Sequence, residues 1–241
     1  MATNGLTIEN GVLTKCDKGI CGELVIPYSV THIGSKAFSG CTGLTSVIIP
    51  DSVTSIGYCA FSGCTGLTSV TIPNSVTNIG LGAFFRCSNL TSVTIPDSVT
   101  RICRDAFAKC TGLTSIIIGG GVEIISGFSG CSSLTSVTIR NGATSIGENA
   151  FDGCSSLTSI TIPDGVGDIR QYAFKDCTSL TSVTIPDSVM VIESRAFYGC
   201  KNISLHYKGT VAQWDRLMER FPLNPDNVDW LVCCRDGLAG I

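Results

Sequence analysis

The chain has 241 residues, of which 44% are hydrophobic and 15% charged, and its formal net charge is −3. That balance excludes a disordered polyelectrolyte and the basic footprint of a nucleic-acid binder. No apolar run approaches the ~20 residues of a membrane span, so no membrane insertion is expected.

The chain opens Met1-Ala2-Thr3-Asn4-Gly5, with neither a basic nor an apolar leader region. On that ground it reads either as cytoplasmic or as lacking its leader. Leu6-Thr7-Ile8-Glu9 and Val12-Leu13-Thr14-Lys15 flank Asn10-Gly11, a strong type I′ turn signal, and predict a hairpin over 6–16. A strand follows at Glu23-Leu24-Val25-Ile26. Residues 1–26 are read as an N-terminal cap.

A repeat then takes over and displaces the one or two globular domains that the length alone suggests. One cysteine marks each copy: Cys41, Cys64, Cys87, Cys110, Cys131, Cys154, Cys177 and Cys200. The spacing is 23 residues except from Cys110 to Cys131, where it is 21. One copy reads C-x-x-L-x-x-V-x-I-P-x-x-V-x-x-I-G-x-x-A-F-x-G. Apolar β-branched residues alternating around Val47 and Ile49 predict a half-buried strand. The proline that follows it in most copies lacks an N–H and ends it. Val53 and Ile56 should point inward on the return path. Ala60-Phe61 should form a short helical or 3₁₀ turn, and Gly63 should let the chain double back. A single 23-residue copy cannot enclose a core. Stacked copies can, with parallel strands ~4.8 Å apart and identical side chains in internal ladders.

The fifth copy has Gly119-Gly120-Gly121 in place of Pro-Asp-Ser and has lost two residues before Gly127. The sixth has Arg140-Asn141-Gly142-Ala143, and the small Ala143 should thin the core. These two copies are where curvature should change; they read as tolerated drift rather than a hinge. After Cys200 the pattern fails. Thr210 and Gln213 form a capping box. Trp214, Leu217, Met218 and Phe221 then make one helical stripe, which Pro222 stops. Val228–Cys234 reads as a strand, followed by a turn at Asp236-Gly237. Trp214 and Trp230 should cover the end of the core. The expected organisation is a solenoid over 27–205 and a C-terminal cap over 206–241.

The motif L-x-x-V-x-I-P-x-x-V-x-x-I-G-x-x-A-F-x-G-C resembles the BspA-like class of leucine-rich repeat over about residues 24 to 205. The resemblance implies a right-handed leucine-rich-repeat solenoid of about eight repeats. A parallel sheet would line its concave face and short helical or 3₁₀ turns its convex face. It also implies a non-catalytic recognition or adhesion scaffold, on the cell surface or secreted, that binds a host or neighbouring-cell surface or matrix protein. A structural spacer without a specific ligand is the alternative. A monomer or weak oligomer is expected.

The eight marker cysteines occupy one inward site with parallel Cβ vectors, so they read as small buried hydrophobes rather than disulfides. They lack the clustering of a zinc site. Cys16, Cys21, Cys59, Cys103, Cys233 and Cys234 fall outside this ladder, and Cys16 and Cys21 are close enough in sequence to pair. No catalytic, metal or cofactor-binding constellation is found: His32 and His206 are far apart, and Pro-Asp-Ser is turn chemistry. Two surfaces remain. Ser69, Thr71, Ser92, Thr94, Ser136, Thr138, Ser159 and Thr161 form a hydroxyl lattice on the expected concave face. Strand propensity and solubility account for the lattice, and that reading is favoured over ligand binding. Tyr58, Phe85, Arg86, Arg101, Arg104 and Lys109 form a mixed aromatic and basic patch, either an interface or a solvated face.

Overall fold

The computed structural model describes residues 5–220 and 231–239. The chain winds through about nine rungs, and most rungs carry two strands. The long strands are Gly22–Val25, Leu44–Ile48, Ser69–Thr71, Ser92–Ile95, Ser115–Ile118, Ser136–Ile139, Ser159–Thr161, Ser182–Ile185 and Ser204–Tyr207. The short strands are His32–Ile33, Ser55–Ile56, Asn78–Ile79, Arg101–Ile102, Ile124–Ile125, Ser145–Ile146, Asp168–Ile169 and Val191–Ile192. Pairing between rungs is parallel and keeps equivalent residues opposite one another, as in Ser115 with Ser92 and Ile116 with Val93.

The sequence pattern anticipated one row of strands. The second row is the return path, where Val53 and Ile56 are buried as expected and Ser55-Ile56 also pairs with the rungs on either side. Neither row is continuous. The long row is interrupted after Ser69–Thr71 and after Ser136–Ile139, and the short row after Arg101–Ile102.

The Ala-Phe segments differ from expectation. They are successive hydrogen-bonded turns rather than helix or 3₁₀. In the first rung Ala37 N donates to Gly34 O, Ser39 N to Lys36 O, and Cys41 N to Phe38 O. Lys36 (φ 59°) and Gly40 (φ 75°) are left-handed, and that breaks any helical run. These turns make a third ladder between rungs: Phe38 N donates to Ala60 O (2.7 Å) and Phe61 N to Ala83 O (2.7 Å).

Inside the coil, eight phenyl rings from Phe38 to Phe197 stack nearly parallel. Their centroids are 4.7 Å apart at the N-terminal step and 5.6 Å between Phe128 and Phe151. The most tilted steps are the two on either side of Phe128, at 12° and 13°, where the fifth rung lacks two residues. Each marker thiol from Cys64 onward donates to the carbonyl of the Phe one rung back, as Cys64 Sγ does to Phe38 O (3.0 Å) and Cys200 Sγ to Phe174 O (3.0 Å). The thiols are therefore donors as well as apolar filler. All fourteen cysteines are free. Cys16 is buried against Cys41 and continues the ladder at its N-terminal end, whereas Cys21 is exposed. This corrects the placing of Cys16 outside the ladder; the hairpin carries it to the level of the rung below the first marker.

In the sixth rung Val137 and Ile139 are only half-buried, as the smaller Ala143 implies. At the N-terminal end, Leu6–Glu9 and Val12–Cys16 form an antiparallel hairpin through Asn10 (φ 50°) and Gly11 (φ 79°). Its second strand pairs in parallel with His32–Ile33. At the other end, Ser204–Tyr207 pairs with Leu231–Cys234, which turns back through Arg235 and Asp236 onto Gly237–Ala239. Between them runs the helix Val211–Arg220. Its capping box is formed: Gln213 N donates to Thr210 Oγ1 (3.3 Å), and Thr210 N donates to Gln213 Oε1 (2.9 Å). Trp214 is buried against Tyr207, with ring centroids 5.3 Å apart. Phe221, Pro222, Trp230 and the expected start of the strand at Val228 lie outside the described residues.

Candidate functional site

The aromatic and basic residues sit on or beside the turn segments, and they separate into three groups. Phe85, Arg86 and Lys109 come together: the Arg86 guanidinium lies 5.1 Å and the Lys109 ammonium 5.9 Å from the Phe85 ring centroid. Arg86 (φ 58°) and Lys109 (φ 60°) both occupy the left-handed position before a marker cysteine, on neighbouring rungs. That shared backbone geometry sends both cations to the same ring. Tyr58 joins neither of the other groups; Lys36 Nζ lies 5.7 Å from its ring. Arg101 and Arg104 line a separate depression of about 550 Å³ with Cys103, Glu123, Ile124 and Ser126.

This depression lies beside the shortened fifth rung. Arg104 Nη2 reaches across that rung to Glu148 Oε2 at 3.0 Å, and both side chains are largely exposed. Such a pair contributes little to stability. It does fix the direction of the Arg104 side chain.

On the Ser/Thr face, Ser69, Thr71, Ser92, Thr94, Ser136, Thr138, Ser159 and Thr161 are all exposed. They are distinct from the threonines that follow each Leu. Those hydroxyls serve the rungs themselves, as Thr68 Oγ1 does in donating to Thr45 O (3.0 Å) and Thr114 Oγ1 to Thr91 O (3.0 Å). The exposed hydroxyls line two shallow depressions. One, of about 560 Å³, spans Ser69–Thr71 and Ser92–Ile95 and is rimmed by Asn74, Asp97 and Arg140. The other, of about 450 Å³, spans Ser136–Ile139 and Ser159–Thr161 and is rimmed by Asn141, Asp164 and Lys208.

Arg140 Nη1 donates to both Asp97 oxygens, at 3.0 and 2.9 Å, and Gly120 N donates to Asp97 Oδ1 at 2.9 Å. The Gly120 N–H, and then Arg140, hold the Asp97 carboxyl below its ordinary pKa. Lys208 Nζ contacts Asp164 Oδ1 at 2.6 Å. The sequence reading missed all of these rim residues as site candidates. A signal was present: Arg140 and Lys208 stand where most rungs have the strand-ending proline.

Among the described residues no group of three or more His, Cys, Asp and Glu could hold a metal ion. No helix among them is long and apolar enough to cross a membrane. Burial pushes the Cys16 and Cys64 thiols up to about 12. They are therefore protonated at neutral pH and unsuited to nucleophilic work.

A family model for the BspA type leucine rich repeat region matches six copies, over residues 7–127 and 126–216. A leucine-rich repeat protein of Eubacterium ventriosum is 28% identical and superposes with a TM-score of 0.65; the match covers 75% of this chain and 59% of that one. The chain thus spans under two thirds of that protein's length. A leucine rich repeat protein of T. pallidum is 24% identical with a TM-score of 0.61, covering 88% and 89% of the two chains, and shares the fold. No curated protein sequence matches.

Proposed function

The chain belongs to the BspA-type leucine-rich repeat family, and from that premise we propose that it is a non-catalytic recognition scaffold acting in adhesion. It binds a protein partner, a surface or matrix protein of a host or neighbouring cell, through its exposed repeat surface. The observation that carries this reading is the cation–aromatic cluster of Phe85, Arg86 and Lys109, with Tyr58 and Lys36 on earlier rungs. Tyr58 is 44% exposed although it is a large apolar side chain. Aromatic and arginine side chains anchor protein interfaces because they bury much area at low ordering cost. The turns that present them are tied to their neighbours by backbone hydrogen bonds, so little is lost in fixing the surface on binding.

The test is a pull-down from host matrix and cell extracts, comparing the full chain with Tyr58→Ala/Phe85→Ala/Arg104→Ala. The expected result is a specific captured protein whose recovery falls more than about tenfold in the triple variant. Capture of the same proteins by both forms, or of none, points to a spacer and defeats the reading.

A further inference from the structure

The two depressions on the Ser/Thr face are copies of one another. Asn74 and Asp97, on the third and fourth rungs, rim one; Asn141 and Asp164, on the sixth and seventh, rim the other. Each of the latter follows its counterpart by 67 residues, three repeats less the two missing from the fifth rung. A cation from two rungs further on closes each depression: Arg140 onto Asp97 and Lys208 onto Asp164. The 23-residue repeat accounts for the serines and threonines but not for this recurrence. The asparagine and the cation each occur twice, three rungs apart. An exposed isoleucine takes the threonine position at Ile48, ahead of the first depression, and at Ile117, between the two, whereas the eighth rung has Thr184. The face thus carries one arrangement twice, three rungs apart.

We propose that these depressions are two equivalent subsites for one extended, uncharged polyhydroxylated chain, a neutral polysaccharide lying along the coil. Three rungs set the subsites about 14 Å apart. The inference goes beyond the protein-binding reading and does not rest on it, since it concerns other residues.

The chemistry selects this ligand class. Hydroxyls and an amide each donate and accept, as a sugar hydroxyl requires of its partners. Asp97 and Asp164 keep lone pairs for further acceptance while the paired cation fixes the carboxylate. Within each pair the charges cancel, so the site exerts no pull on a phosphate or sulfate. No aromatic side chain lines either depression, and a protein partner would find no anchor there. Two subsites on one rigid surface gain by avidity: the second contact is intramolecular once the first is made.

Native gel electrophoresis of the full chain through dextran, mannan, galactomannan or xyloglucan tests this, with heparin as the anionic comparator and gelatin as the extended polypeptide. The expected result is retardation by at least one neutral polysaccharide. Asn74→Ala and Asn141→Ala should each weaken it at least about tenfold, through lost avidity, and together abolish it. Both asparagines are exposed, so circular dichroism and the melting profile should not change. Retardation by none of the four polysaccharides, by gelatin or heparin alone, or equally in the double variant overturns the proposal. Tyr58→Ala/Phe85→Ala/Arg104→Ala should leave the retardation intact. Its loss there would also overturn the assignment, while the protein-binding reading stands or falls on its own pull-down.

Discussion

The marker cysteine does two jobs that valine or alanine could not combine. It fills a small inward space, and its S–H gives a Phe carbonyl a second donor beside the backbone N–H it already accepts, as Phe84 O accepts from both Cys87 N and Cys110 Sγ at 3.1 Å. Nine of the fourteen thiols are buried: Cys16 and the eight markers. A pH dependence follows. With a folded-state pKa raised to about 12 for Cys16 and Cys64 against 9.0 for an ordinary thiol, the unfolded chain loses these protons first. The contribution is fully present below about pH 9 and is lost as pH rises towards 12. We expect the melting temperature to drop steadily over that range. Native alkylation at pH 8 should meanwhile spare these nine thiols and reach only Cys21, Cys59, Cys103, Cys233 and Cys234. Mass spectrometry of the alkylated protein checks the second outcome, and a thermal scan at graded pH the first. The inward residues and the shared inward site of the markers were legible in the sequence because both are strictly periodic. The S–H donation was not, since it joins residues 26 apart on neighbouring rungs.

At the scale of one rung, the fifth shows how an element absorbs a deletion. Elsewhere the residue after the short strand donates its backbone N–H to the rung before, as Cys103 N does to Ile79 O and Gly147 N to Ile125 O. At Ser126 it is the side chain that reaches back, its hydroxyl donating to Ile102 O at 2.9 Å. Ser126→Ala removes that donor beside the break in the short row. It should cost about 1 kcal/mol, read as a shift in the denaturant midpoint with an unchanged slope. A Ser98→Ala control loses a similar bond to Val76 O (2.8 Å) in a continuous part of the row. The hairpin at Asn10-Gly11 and the capping box at Thr210 were legible because their signals are local. The short strands were not: two residues are too few for a period. The turns were misjudged as helical because Ala-Phe favours neither state strongly and the left-handed residues between are mostly not glycine. The pairs Arg104–Glu148 and Asp97–Arg140 skip a whole rung, and no local pattern announces a contact 43 or 44 residues away.

Across the whole molecule, stability is a sum of neighbour terms and the ends are its weak points. Trp214 is 1% exposed and lies against Tyr207, on the last long strand of the repeat. Trp214→Ala should cost about 3–5 kcal/mol, and the loss should spread inward from the C-terminal end. In hydrogen exchange, Ser204–Tyr207 should lose protection before Ser182–Ile185, and the central strand Ser115–Ile118 last. Uniform loss over all rungs would show instead that the coil melts as one unit.

The interruptions in the two strand rows fall at different heights: after the third and sixth rungs in one, after the fourth in the other. Masons lay courses so that vertical joints never line up, and the wall cannot split along a seam. Here too, no cross-section finds both rows open at once, and the stacked phenyl rings pass through every level. Each break in one row is therefore flanked by continuous pairing in the other.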